Sequence, residues 1–295
     1  METITDSELI LTPAGCIYHL DILPEQIADV VITVGDPERT KRVADFFERI
    51  EFTHTHREFT LITGYIADKR LSVLSTGMGT QNIDIVLNEL DALVNIDFKR
   101  RCVKKNKRRI KIIRIGTSGS VCPSVPINSV VLSSLAVDLT GVTAYYQYSP
   151  EPQEARLARD ISGQLEGSIP SCTIRAYRAC EQLLDVFCQA QHFQPGITVT
   201  CNGFYAPQSR PLRAKRLYPD LMEKITTFYN EDGQVVNLEM ETAALYGFGR
   251  ILGHQCLSVN AIVADRIGKR FVSDIHALET RTIKQCLDLL IGMTD

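Results

Sequence analysis

Apolar residues fall into short runs bounded by glycine, proline and acidic residues, and the spacing within the runs switches between a strand period and a helix period. Residues 30–34 form a run rich in β-branched side chains that stops at Gly35, Asp36 and Pro37. Such a run, ended by turn residues, predicts a buried strand. Pro37 can open a helix because its missing N–H is not needed in the first turn, and Asp36 can cap it. Residues 38–47 then carry Val43, Phe46 and Phe47 on a helical pattern. Strands are predicted at 59–66 and 71–74. The stretch 75–80, STGMGT, breaks the pattern before a helix at 82–94, where Ile83, Val86, Leu87, Leu90, Leu93 and Val94 recur at helical spacing.

Farther along, 110–115 reads as a strand ending in Gly116, Thr117, Ser118 and Gly119, and 130–132 and 135–139 read as two short strands with a turn between them. Helices are expected at 153–165, 180–191, 221–228, 238–252 and 275–290, and strands at 197–200 and 256–264. Strands separated by helices predict a layered α/β architecture. No repeat, low-complexity linker or composition break divides the chain, so one domain over residues 1–295 is expected.

Composition narrows the class. The 44% hydrophobic content over 295 residues supplies a core able to bury about 75% of the unfolded surface. No stretch reaches the roughly 20 apolar residues that cross a bilayer, and METITDSE at the start is unlike a basic, then apolar, secretion signal. A cytoplasmic location is expected. Nine cysteines occur without a close C-x-x-C pair and read as small buried hydrophobes rather than a disulfide framework or zinc site. The net charge of −3 gives no general attraction to nucleic acid. Nine of the thirteen residues at 99–111 are Lys or Arg, but no aromatic residues are interleaved to stack on bases, so this block reads as a solvated insertion.

The candidate chemistry lies in the glycine segments and arginines. A glycine at a strand end lets a ligand approach the backbone, and a following helix turns free N–H groups toward negative charge. Gly35-Asp-Pro-Glu-Arg39 and the Gly77-Met-Gly79 turn have this form, but neither matches the phosphate loop of nucleotide triphosphatases or the dinucleotide fingerprint. Arg39, Arg57 and Arg114 stand beside these elements. Arg114, among Ile112, Ile113 and Ile115, needs either an anionic ligand or a structural ion pair. Downstream lie GFYAPQSR at 203–210 and NLEMET at 237–242, where Glu239 and Glu241 can bind sugar hydroxyls or serve as charges at a helix N-terminus.

In order along the chain, VGDPER, HREFT, STGMG, IRIGTSG, GFYAPQSR and NLEMET resemble the motifs of the nucleoside phosphorylase superfamily, and within it those of the uridine phosphorylases. The resemblance runs from IYHL at 17–20 to the final helix. It implies a single-domain α/β fold around a mixed, partly barrel-like central sheet flanked by helices. It also implies cleavage of uridine or deoxyuridine by inorganic phosphate to a free base and the corresponding ribose or deoxyribose 1-phosphate, through an oxocarbenium-like transition state and without a required cofactor.

By the same resemblance, Gly35, Arg39, Arg114 and Thr117 bind phosphate, with Arg57 arriving from a neighbouring subunit. His19 also reaches the neighbour, holding the ribose 5′-hydroxyl, while Glu239, Met240 and Glu241 serve the ribose. Phe204 stacks near the base or sugar, and Gln208 matches the carbonyl and N–H edge of a pyrimidine. Arg210 and Arg266 act at the base, Arg210 stabilising the departing anion. Shared residues make a dimer the minimum active homo-oligomer, and the resemblance suggests a hexamer. Relatives carry Gly-Pro-Ser where this chain has Thr80-Gln81-Asn82, so a structural potassium ion rests on Glu58 and the oxygen of Asn82. Purine-selective relatives use a Ser-Asp pair that Ala264-Asp265 could imitate. A purine nucleoside phosphorylase or nucleosidase is therefore the alternative, followed by a catalytically weak nucleoside- or RNA-binding protein. No membrane and no nucleic acid partner is expected.

Overall fold

The computed structural model describes residues 3–190 and 192–293. They divide into two compact units. The described residues up to Ile113, with Phe248–Gln255, form the first, and Arg114–Gly247 with the described residues from Cys256 onward form the second.

The first unit contains β1 (Val30–Val34), α1 (Pro37–Ala44), β2 (Arg49–His56), β3 (Phe59–Ile66), β4 (Lys69–Ser75), α2 (Thr80–Asn95), β5 (Ile96–Asp97) and β6 (Cys102–Val103). β1 pairs in parallel with β4, which continues antiparallel to β3 and then β2. Strands β1 and β3 are almost wholly buried, which is why their sequences are rich in apolar and β-branched residues and were legible. β2 escapes that pattern. It lies at the end of the strand path, and RIEFTHTH alternates exposed with half-buried positions.

Asp36 caps α1, its carboxylate accepting from the Glu38 N–H at 3.0 Å. The helix stops at Ala44, short of the expected Phe47, and a turn places Phe46 and Phe47. Before α2 the chain bends at Gly77 and Gly79, which sit at φ of 69° and 92°, a region costly for any side chain. All six apolar positions read as the inner face of α2 are buried.

The basic insertion does not lengthen α2. It forms the β5–β6 hairpin, and Arg101 turns inward to donate to the carbonyls of Ile4 and Thr5 at 2.9 and 2.8 Å. Lys104 donates to the Val94 carbonyl at 3.0 Å. Lys99, Arg100, Lys105, Lys107, Arg108 and Arg109 remain exposed, as the cost of burying charge requires.

The second unit takes up β7 (Lys111–Ser120) from Arg114 onward, then β8 (Val130–Asp138), α3 (Pro152–Leu165), β9 (Arg175–Arg178), α4 (Glu181–Cys188) and β10 (Phe193–Thr200). It continues through α5 (Leu221–Thr226), β11 (Tyr229–Asn230), β12 (Gly233–Glu239), α6 (Thr242–Leu252), β13 (Gln255–Asp265), β14 (Arg270–Phe271) and α7 (Ile275–Gly292). β10 is parallel to both β8 and β12, and β8 is antiparallel to β13. β7 neighbours β13 and also pairs antiparallel with β12, at Gly119 and Ser120. The mixed sheet is therefore partly ring-like. On it, Leu157, Ile161 and Leu165 of α3 form one buried cluster with Val137, Val199 and Leu238 and with Leu221 and Ile225 of α5.

Several expectations are corrected here. The turn expected between 132 and 135 is a bulge: Gly196 faces Ser133 and Ile197 faces Leu135, so Ser134 is the extra residue in one continuous strand. β7 runs through Gly116 to Ser120 instead of stopping at the glycine. The helix expected from residue 238 begins at Thr242, because Leu238 and Glu239 still belong to β12. The helix expected at 180–191 ends at Cys188, and Gln191 lies outside the described residues. All nine cysteines are free, but only Cys122, Cys201, Cys256 and Cys286 are buried, and Cys172 and Cys188 are exposed. Among the described residues no helix is long and apolar enough to cross a membrane.

Candidate active site

β7 explains its own glycines. Arg114 and Gly116 are two apart on one face of the strand, and a Cβ at Gly116 would collide with the Arg114 guanidinium. The glycine makes room for an arginine folded along the strand. It is not a turn residue. Arg114 is 4% exposed. Its Nη2 forms an ion pair with Glu241, Nη1 donates to the Asn260 side-chain Oδ1 at 3.4 Å, and a Glu239 oxygen lies 3.9 Å away. The structural ion pair that the sequence left open is thus present, made by a residue with a candidate ribose role.

Glu239 accepts from the N–H groups of Glu241 and Thr242 at 2.8 Å and from the Thr200 hydroxyl at 2.5 Å. It ends β12 and satisfies the first N–H groups of α6, the helix-start reading of this carboxylate. Burial, with Glu241 adding to it, pushes Glu239 above the usual carboxylate range, and Arg114 opposes that rise. Met240, between the two glutamates, and Thr117 on β7 are both half-buried.

The base-end candidates also converge. Arg210 Nη1 donates to the Gln208 side-chain oxygen at 2.6 Å and to the Phe204 carbonyl at 2.8 Å, and its guanidinium lies 3.7 Å from the Phe204 ring centroid. Arg266 Nη2 donates to the Gln208 backbone carbonyl at 2.9 Å, while its Nη1 is buried without a partner among the described residues. A Cβ at Gly119 would stand 3.1 Å from the Arg266 side chain and 3.7 Å from Arg210, so this glycine too clears space for arginine. Neither guanidinium has a carboxylate partner among the described residues. Burial, then the charge of Arg266, lowers Arg210 to about 10, and burial lowers Arg266. Cys201, fully buried beside them, is raised by burial to about 12 and stays a neutral thiol.

Because Arg210 occupies the Gln208 oxygen, the orientation of that amide is set and Nε2 is left to donate. The expected two-sided match narrows to a donor-rich end. Asp265 takes no part in it. Its carboxylate accepts from the N–H groups of Ile267 and Gly268 at 3.1 and 2.7 Å and from Arg270 at 2.8 Å, and these contacts, led by Gly268, hold it below the usual range.

In the first unit, a Cβ on Gly35 would lie 3.5 Å from the Gly77 carbonyl, so the two glycine segments adjoin. Arg39 is buried in α1. The side chains of Glu58 and Asn82 both reach Gly77, Asn82 with its amide nitrogen. The carboxylate suits a monovalent cation, but the Asn82 oxygen would have to exchange places with that nitrogen to join it. His19 is held by Glu89, and Arg57 is exposed at φ of 55° with its guanidinium 5.2 Å from the Tyr18 ring centroid. The two residues expected to serve a neighbouring subunit therefore share one patch around Tyr18.

The family model described as "Phosphorylase superfamily" matches residues 29–292. The chain belongs to the phosphorylase superfamily. Within that superfamily it is similar to a uridine phosphorylase of Thermococcus kodakarensis, with 27% identity over 92% of this chain and 85% of the relative. It is also similar to a DeoD-type purine nucleoside phosphorylase of Oceanobacillus iheyensis, with 28% identity over 84% of this chain and 87% of the relative. A solved Trypanosoma brucei nucleoside phosphorylase, described as showing uridine phosphorylase activity, superposes with a TM-score of 0.88 at 28% identity, covering 97% of this chain and all of the other.

Motif reading in this superfamily member missed Asn260 and Thr200, which orient Arg114 and Glu239, and Glu89, which holds His19. The available signal was a polar residue inside an apolar element: Asn260 in CLSVNAIVA, Thr200 closing ITVT, and Glu89 on the inner side of α2.

Proposed function

We propose that this phosphorylase cleaves uridine with inorganic phosphate, giving uracil and ribose 1-phosphate. The arrangement that carries this reading is the base end. Relatives of both base classes show similar percentage identity, with the uridine phosphorylase matching more of this chain. Gln208 Nε2, Arg210 and Arg266 present donors and positive charge, while Asp265 is engaged with Arg270 and its own turn. Such a set favours a base whose oxygens take up negative charge as it departs, and uracil is one.

In the proposed reaction the bond between C1′ and the base nitrogen breaks with its electron pair moving to the base, where Gln208, Arg210 and Arg266 stabilise the anion. A phosphate oxygen forms the new bond to C1′. Arg114 and Thr117 orient the phosphate, and Glu241 holds ribose hydroxyls over Met240. No side-chain nucleophile or redox cofactor is required. A potassium ion at Glu58 and Asn82 would be structural. His19 and Arg57 would serve a neighbouring subunit, making the active species a dimer or a hexamer built from three dimers. The cell role would be pyrimidine salvage in the cytoplasm.

The test is release of base from uridine, thymidine, inosine and adenosine, each with and without phosphate. Uracil release from uridine that requires phosphate is expected. Equal rates without phosphate would make the protein a nucleosidase, and turnover confined to the purine nucleosides would overturn the pyrimidine assignment.

A further inference from the structure

One carboxylate of the first unit accepts four hydrogen bonds yet has no part in the proposed reaction. Glu89 projects from α2 with its side chain 11% exposed. Its oxygens accept from the His19 N–H at 2.9 and 3.1 Å, from the Leu20 N–H at 2.8 Å and from His19 Nδ1 at 2.6 Å. The same loop is fastened by β2, where His56 Nδ1 donates to the His19 carbonyl at 2.9 Å. One carboxylate thus grips both the backbone and the ring of one residue, which limits the ring's torsions as well as its position.

That grip also places a proton. An ionised carboxylate only accepts, so the hydrogen between Nδ1 and Glu89 belongs to the nitrogen. In a neutral imidazole Nε2 then carries the lone pair. His19 keeps 29% of its side-chain surface exposed, and Nε2 has no partner among the described residues.

We infer that Glu89 is a positioning residue: it holds His19 as the Nδ1–H tautomer, so that Nε2 accepts the proton of a nucleoside 5′-hydroxyl and discriminates against groups with no proton to give, such as a 5′-phosphate or 5′-thioether. The inference rests on the nucleoside phosphorylase reading above. A protonated ring would instead offer a donor at Nε2 and would favour the 5′-phosphate.

The experiment compares kcat/KM for uridine and 5′-deoxyuridine, at saturating phosphate, in the assembled wild type, Glu89→Gln and His19→Ala. Loss of a hydrogen bond held by a charged group corresponds to about a 10- to 100-fold effect. Glu89→Gln is therefore expected to lower kcat/KM for uridine by about that factor while changing 5′-deoxyuridine less than about threefold, and His19→Ala is expected to erase the preference likewise. Equal loss on both substrates would assign Glu89 to loop folding alone and overturn the inference, as would an unchanged preference. If Glu89→Gln does not assemble, Glu89→Asp, which withdraws the carboxylate by one methylene, is compared on the same pair. A wild type that leaves uridine intact would sink the functional reading. In that event ¹⁵N NMR of histidine-labelled protein still decides the tautomer, and a protonated Nε2 on wild-type His19 would overturn the inference on its own.

Discussion

Arg114 and the Arg210–Arg266 pair belong to the same unit, yet their charges are treated in opposite ways. Arg114 is enclosed by carboxylates, ion-paired to Glu241 and 3.9 Å from Glu239. Arg210 and Arg266 face carbonyl oxygens and each other, and burial lowers both. A compensated cation keeps a buried region stable and must exchange partners when an anion arrives. An uncompensated pair is held under electrostatic tension that a departing anion relieves. The contrast separates a residue that supports the fold as well as the site from residues whose charge is kept for the substrate.

The largest expected effect comes from Arg114→Met, which removes the guanidinium that forms a buried ion pair with Glu241. Stability should fall by about 3–5 kcal/mol, the usual result of breaking a buried pair, measured by urea unfolding. In the same variant kcat/KM for phosphate should fall about 100-fold or more. A variant that loses phosphate use but not stability would break the comparison. Arg210→Met should lower kcat for uracil release by about 100-fold with the KM for phosphate unchanged. Since it removes one of two like charges, its unfolding midpoint should stay the same or rise, and a loss like that of Arg114→Met would erase the distinction between the two ends.

The smallest effect concerns pH. Burial raises Glu239 in the folded protein above its ordinary value of 4.5. Between those two values the folded state keeps a proton that the unfolded state has released, so wild-type stability falls as pH rises through that window. Glu239→Gln removes this titration while also altering hydrogen bonds at the start of α6, a change largely independent of pH. The stability of wild type minus variant should therefore decline as pH increases above 4.5. A difference that grows with pH would show that the hydrogen bonds from Thr200, Glu241 and Thr242, with Arg114, outweigh burial.

Legibility in the sequence tracked burial on both faces. β1 and β3 were read end to end because an apolar run needs only local information, whereas β2 presents an alternating polar pattern that periodicity scanning passed over. The glycines of IRIGTSG were recognised as special for the wrong local reason. They were read as the end of a strand, but within β7 they clear space for Arg114 and Arg266. Gln208, Arg210 and Arg266 were named from motif resemblance, yet the direction of the Gln208 amide needed a neighbour in space.

By itself the sequence determined the order of the helices and of the strands with long apolar runs, the cap at Asp36 and the buried face of α2, because these depend on side-chain pattern within one or two turns of chain. Only the tertiary structure decided which charges meet. Glu241 lies 127 residues from Arg114, and Glu89 lies 70 from His19. Separations of that size are closed by strand pairing and core packing, whose outcome no local pattern encodes.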